Sequence, residues 1–258
     1  MACLGRAAQS NSSPSDRKDH RPTGLTEVSD TSRQHASLAH RQSALDQLHR
    51  DLEACQRCPK MFGPPVHSVS VISSIMLIGQ APGTREIEQK RPFCWTAGKT
   101  LFGWFASIGL DEQAFRSQVL MSAVCRCFPG KNPKGGDRVP DGDEVERCGS
   151  WWRTEMALLR PRLILPVGKL AISQLMDCKR LNDVVGQQWS YRSAEGWEAD
   201  IIPLPHSSGA STWFKMDPGK DLLARALELI ALHPCWKECV GKPSHPARSP
   251  GPREDSES

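Results

Sequence analysis

The sequence predicts an α/β protein, a three-layer α/β/α sandwich around a mainly parallel central sheet. Short continuous apolar runs of strand length alternate along the chain with segments whose apolar residues recur at helical spacing. The strand-like runs are apolar at successive positions, as strands covered on both faces are. The block that carries this alternation, roughly residues 43 to 238, has the size of one domain and contains no internal repeat.

Each element has its own signal. Leu45, Leu48 and Leu52 lie at helical spacing, so a helix is expected over 44–52, stopping near the Cys55 to Pro59 knuckle. The run 69–78, with Val71, Ile72, Ile75, Met76, Leu77 and Ile78, ends in Gly79-Gln-Ala-Pro-Gly83, the pattern of a buried strand feeding a loop. A helix is expected over 98–108 and a strand over 118–124. Residues 143–159 read as a helix, 162–167 as a strand broken by Gly168, and 169–176 as a helix. A strand over 198–204 and a helix over 222–232 complete the block. In open parallel sheets ligands sit beyond the carboxyl ends of the strands, which directs attention to the loops at Gly79, Cys125, Gly168 and His206.

Composition sets outer limits. The hydrophobic fraction of 38% in 258 residues is low for a fully globular chain, and the two ends account for it. Residues 1–42 are rich in Ser, Arg, Asp, Gln and His, and 239–258 in Pro, Ser and charge, so both read as solvated, disordered tails. A mitochondrial-type presequence is the competing reading of the first tail; Asp16, Asp19, Glu27 and Asp30 count against it. No apolar run approaches the roughly 18 to 20 residues of a membrane span, and the N-terminus lacks the apolar segment of a secretory signal. A soluble, cytoplasmic protein without membrane partners is expected. A net charge of +4 permits a polyanionic partner without arguing for one.

Ten cysteines in such a chain point first to metal or cluster ligation. Cys55-Gln-Arg-Cys58 has the two-residue spacing that lets both sulfurs reach one metal or one cluster. Cys127, before Phe-Pro-Gly, and Cys148, inside the helix after Asp143, would complete a set of four for zinc or for a 4Fe-4S cluster, with Cys125 the rival of Cys127. The second half of the set is not another CxxC, which weakens zinc; cluster ligands come from scattered positions. Cys3, Cys94, Cys178, Cys235 and Cys239 read as tail or core thiols.

Taken in order, Gly79-Gln-Ala-Pro-Gly83, Arg91-Pro-Phe93 with Ala97-Gly98, Cys127 near Pro129-Gly130, Cys148, Arg160-Pro161 with Val167-Gly168, and His206-Ser-Ser-Gly-Ala-Ser211 resemble the iron-sulfur type of uracil-DNA glycosylase over about residues 45 to 232. The family's GEAPG and its Arg-Pro-Phe and Ala-Gly signature overlay residues 79 to 98 without a gap. The resemblance implies that Cys55, Cys58, Cys127 and Cys148 bind a structural 4Fe-4S cluster, that the fold is uracil-DNA glycosylase-like, and that the partner is DNA with a base flipped out. It also implies a monomer associated with the nucleoid. Three departures mark a distinct branch. The family's Asn four residues before the third cluster cysteine, whose amide reads uracil, is Ala123 here; Ser207 replaces a proline; and a Lys134-Gly-Gly-Asp-Arg138 insertion lengthens the interval between Cys127 and Cys148.

A glycosylase must extrude a base and break its N-glycosidic bond, so the site should offer donors to the base oxygen and a water or negative charge near the sugar. The resemblance assigns the donor to His206, with Gln80 and nearby backbone N–H groups beside it. Pro82 and Gly83 shape a loop at the base, and Phe93 stacks on it, with Gly79, Ala81 and Ala123 as close neighbours. Position 81 is Ala where another branch places a water-activating Asp; Glu86, and after it Glu88, are the remaining candidates. Ser207, Ser208, Gly209 and Ser211 suit phosphate contacts, as does the basic stretch Arg126, Lys131, Lys134 and Arg138. Trp213 or Phe214 is expected to enter the emptied stack, one ring pointing out and the other in. A catalytically silent nucleic-acid-binding protein and a zinc-stabilised α/β protein are the alternatives.

Overall fold

A computed structural model describes residues 30–242 apart from positions 134 and 210, with side chains from residue 37. The expected tails over 1–29 and 243–258 lie outside the described residues. Four parallel strands, β1 (Ile75–Gly79), β2 (Leu120–Ala123), β3 (Leu163–Pro166) and β5 (Glu198–Ile201), and one antiparallel strand, β4 (Trp189–Arg192), form a sheet in the order β2-β1-β3-β5-β4. The expected parallel strands are all present but shorter than the apolar runs that signalled them. β4 is new: its residues are mostly exposed, and it pairs only as the outer arm of a hairpin that turns at Gly196.

Alternation along β1 divides the core. Ile75 and Leu77 face one layer, where α3 (Thr96–Ala106), α4 (Glu112–Gln118), α7 (Gly219–Leu232) and α8 (Pro234–Val240) contribute Phe105, Phe115, Ile230 and Trp236. Met76 and Ile78 face the other, where α1 (Asp30–Glu53) and α5 (Gly142–Leu159) contribute Leu45, Leu52, Trp152 and Met156. This two-residue period with burial on both sides makes β1 read as a continuous apolar run. Two short helices, α2 (Thr84–Gln89) and α6 (Lys169–Ile172), follow β1 and β3 directly.

Both ends of the domain extend past the sequence-based boundaries. α1 begins at Asp30, and within the stretch expected to be tail, the Arg41 guanidinium donates to the carbonyls of Leu158 and Leu159, capping α5. Gln42 reaches the Ser70 carbonyl at 3.2 Å. At the other end, α8 buries Cys235, Trp236 and Cys239, and the Trp236 indole donates to the Ile108 carbonyl at 3.0 Å. The ends of β1 and β3 and the segment after β5 converge at one edge of the sheet. There the Gly168 N–H donates to the Leu204 carbonyl at 2.9 Å, which brings His206 alongside Gly168. Among the described residues no helix is long and apolar enough to cross a membrane.

Candidate active site

A cavity of about 570 Å³ opens at this carboxyl edge. The 79–83 loop, with Gly79, Gln80, Ala81, Pro82 and Gly83, forms one wall; Ser122 and Ala123 at the end of β2, with Phe93, form another. His206, Ser208 and Gly209 close a third side. The sequence-predicted residues from four separate segments thus surround one space of a size that suits a small ligand.

His206 is held in a defined chemical form. The Ser208 N–H donates to His206 Nδ1 at 3.2 Å, so in the neutral ring the proton sits on Nε2, which is left as a donor. Burial pushes the imidazole below its ordinary pKa, and the Asp137 carboxylate opposes that shift. Gly168 has φ +87 and approaches so closely that an added Cβ would lie 3.0 Å from His206 Cδ2, so a side chain there would displace the ring.

Phe93 is fixed from behind. It adopts φ +51, outside the usual range for a side-chain-bearing residue, and the Arg116 guanidinium donates to the carbonyls of Pro92 and Phe93 at 2.9 Å each. Its ring packs on the end of β1, where a Cβ on Gly79 would come within 2.9 Å of Phe93 Cζ.

Glu86 and Asp137 are the two carboxylates among the described lining residues. Glu86 is engaged: its Oε2 accepts the Gly83 N–H at 3.1 Å and caps α2. Glu88 lies outside the cavity lining and pairs with Arg85 on the exposed face of α2. Asp137, from the inserted loop, was not among the sequence candidates. Backbone pairing of Lys131 with Asp137 closes that loop as a small hairpin over the cavity, and Lys131 Nζ binds Asp137 Oδ1 at 2.7 Å. A Cβ placed on Gly83 would be 3.0 Å from Asp137 Oδ2. Proximity of this kind has no signal in sequence spacing. Lys134 lies outside the described residues.

Other placements differ from expectation. Ser207 is 1% exposed, tucked beneath the loop, and so does not present its hydroxyl to a phosphate. Ser211 lies outside the cavity lining, its N–H donating to the Ser208 carbonyl at 3.0 Å. Residues Trp213–Lys215 form a 3-10 turn, not an extended segment, so Trp213 and Phe214 do not point apart. Both pack against the same core: Trp213 lies over Gly219 and donates to Asn182 Oδ1 at 2.8 Å, and Phe214 meets Trp104 edge-on at 5.1 Å. The exposed aromatic at the cavity mouth is instead Trp95, 47% accessible, with Arg85 and Lys99 over its ring at 5.3 and 6.0 Å.

Cys55 and Cys58, just past α1, Cys127, after β2, and Cys148, in α5, line a second concavity of about 430 Å³. Cys125 is fully buried, and its interaction with the Cys148 thiol holds Cys148 down to about 7 and drives Cys125 up. Burial and the surrounding thiols push Cys127 up to about 12. As the side chains stand, no group of three or more His, Cys, Asp or Glu among the described residues is drawn together tightly enough to hold a metal ion. Four thiols from three segments facing one space nonetheless match the scattered donor set of a cluster better than a compact single-ion site.

A buried ionic network joins the two concavities. Glu155 accepts from Arg126, from Ser122 Oγ at 2.7 Å and pairs with His49 Nε2 at 2.9 Å, all 3% exposed or less. Ser122 lines the first cavity, and the Arg126 N–H reaches Cys148 Sγ at 3.3 Å.

Comparison with known proteins matches residues 68–230 to the family described as the uracil DNA glycosylase superfamily, well over half of the chain. A type-4 uracil-DNA glycosylase of Pyrobaculum aerophilum is 29% identical over 160 residues, 58% of this chain and 76% of that protein. One from Archaeoglobus fulgidus is 32% identical over 133 residues, covering 50% and 61%. A type-5 uracil-DNA glycosylase of P. aerophilum is 25% identical over 156 residues, covering 49% and 66%.

Proposed function

The chain belongs to the uracil DNA glycosylase superfamily, and on that footing we propose that it is a DNA-repair hydrolase that cleaves the N-glycosidic bond of uracil or another deaminated base flipped out of DNA. The observation that carries the reading is the buried His206, whose Nδ1 accepts the Ser208 N–H and so leaves Nε2 as the donor, beside the Gly79–Gly83 loop in a cavity that Phe93 also lines. As the bond lengthens, charge accumulates on the base oxygen, and a preorganised N–H that stays neutral donates to it without a proton transfer. Gln80 and the loop N–H groups add donors, and Phe93 offers its face to the extruded base.

Where the type-4 relatives are named for uracil, this site has Ala123 and no amide at that position, so bases are selected mainly by shape and by the His206 and Gln80 donors. Cys55, Cys58, Cys127 and Cys148 would hold a 4Fe-4S cluster, which, when bound, ties the end of α1, the loop after β2 and α5 together; Cys125 is left as their buried partner. The protein acts as a monomer on DNA in the nucleoid, with Ser208, Gly209, Pro82, Lys131 and Arg138 near the strand. Single-turnover assays on oligonucleotides carrying uracil, hypoxanthine, xanthine or an oxidised base test the reading; excision of none of them leaves a nucleic-acid-binding protein. Iron content and absorbance near 400 nm test the cluster, and Cys127→Ser, but not Cys125→Ser, should empty it.

A further inference from the structure

We infer that Asp137, carried by the inserted loop, is the carboxylate that activates water and balances the sugar's positive charge in this protein. The inference rests on the glycosylase reading above and names the group that the motif 79–83 lacks, since position 81 is Ala.

Three observations converge on Asp137. It lines the same cavity as His206, Gln80 and Phe93, and the other carboxylate there, Glu86, has its Oε2 turned back to the Gly83 N–H as the cap of its own helix, whereas Asp137 reaches the loop from across the cavity. One of its oxygens is anchored: Oδ1 accepts from Lys131 Nζ at 2.7 Å, which leaves Oδ2 beside Gly83, 3.0 Å from where a Cβ would sit. Finally, its negative charge reaches His206, the group placed to donate to the base oxygen. Gly135 and Gly136, at φ +95 and +76, form the turn that returns the chain to the cavity, and the Arg138 guanidinium binds both Glu144 oxygens at 2.7 and 2.8 Å, pinning the loop to α5.

The step balances as a hydrolysis. The C1′–N bond breaks and its electron pair leaves with the base, whose oxygen is held by His206 Nε2–H. A water oxygen forms the new bond to C1′, and its proton passes to Asp137 Oδ2 and then to solvent, while the base anion takes a proton from solvent. Asp137 is 41% accessible, open to water before DNA closes over the cavity. A carboxylate next to the developing sugar cation stabilises it throughout.

The test uses the full-length protein with its iron content matched between variants. Asp137→Asn should slow single-turnover excision about 10²- to 10⁴-fold, the range for a positioned base. Affinity for duplex carrying a tetrahydrofuran abasic analogue should stay within about twofold. Formate should restore part of the rate lost in Asp137→Ala, which a purely structural role would not allow. An excision rate for Asp137→Asn within about threefold of wild type overturns the assignment. So does a loss that formate leaves unchanged and that is matched by weakened binding to the abasic analogue. Wild-type protein that excises none of the four bases overturns the glycosylase reading itself, and the role of Asp137 with it.

Discussion

Arg126→Met should cost about 3–5 kcal/mol, the range for leaving one member of a buried ion pair uncompensated. Arg126 and Glu155 are each 1% exposed, and Arg126 binds both Glu155 and, at 2.7 Å, Ser122 Oγ. With Arg126 gone, Glu155 keeps the Ser122 hydroxyl and His49 but no full positive charge. In a chain of this size the loss corresponds to a melting temperature lower by on the order of 10 °C. The loss should also depend on pH, in a fixed direction. Burial pushes the Glu155 carboxyl up, and Arg126, His49 and Ser122 together outweigh it and hold it below the carboxylate range. A depressed carboxyl contributes stability that is present above its unfolded pKa and lost as pH falls through its folded one. The variant removes the largest depressing charge, so Glu155 moves up and can take a proton; His49, which burial holds below its ordinary value and which Arg126 also repels, becomes easier to protonate. Either proton relieves the unpaired charge, so the loss should be larger near about pH 8 than near about pH 5.5. Equilibrium urea unfolding at both pH values, with iron content held equal, measures it. Adding Glu155→Leu should recover part of the loss, because the pair is then replaced by apolar groups. A loss under about 1 kcal/mol, the same loss at both pH values, or strict additivity of the double variant would refute the account.

His206→Ala should lower excision about 10²- to 10³-fold with little change in DNA affinity. Because burial lowers the pKa of this imidazole, its NMR titration should fall below about 6.5. The active neutral ring therefore persists as pH drops toward that value, and a midpoint above it would contradict the burial argument. Gly79→Ala should drive the Phe93 ring off the end of β1, with a cost of about 1–3 kcal/mol in stability and a larger fractional loss of excision; unchanged turnover would mean that Phe93 does not stack on the base. Ala123→Asn should raise the preference for uracil over the other deaminated bases, and no gain would place base selection elsewhere. Trp95→Ala should impair excision from duplex more than from single strands, whereas equal losses would show that the aromatic at the cavity mouth does not support the distorted duplex.

The sequence by itself determined the layered architecture, because each buried strand and amphipathic helix carries its own local period. It also determined the cysteine spacing and the short motifs that surround the cavity, since residues next to one another along the chain stay together in a turn such as Gly79-Gln-Ala-Pro-Gly83. Only tertiary structure decided which of Cys125 and Cys127 faces the open space, because burial depends on neighbours from α5 and not on spacing. The tautomer of His206 follows from a Ser208 N–H aimed at Nδ1, a matter of backbone direction. The 3-10 turn that carries Trp213 and Phe214 onto one core replaced an extended segment that their order alone suggested. Asp137 lies 54 residues along the chain from Gly83 yet comes to its side, Arg41 ties a stretch of tail-like composition to the domain, and Trp236 joins the chain's last helix to the Ile108 carbonyl. The contacts of Asp137, Arg41 and Trp236 join groups distant in sequence, and a long-range contact leaves no local period to read.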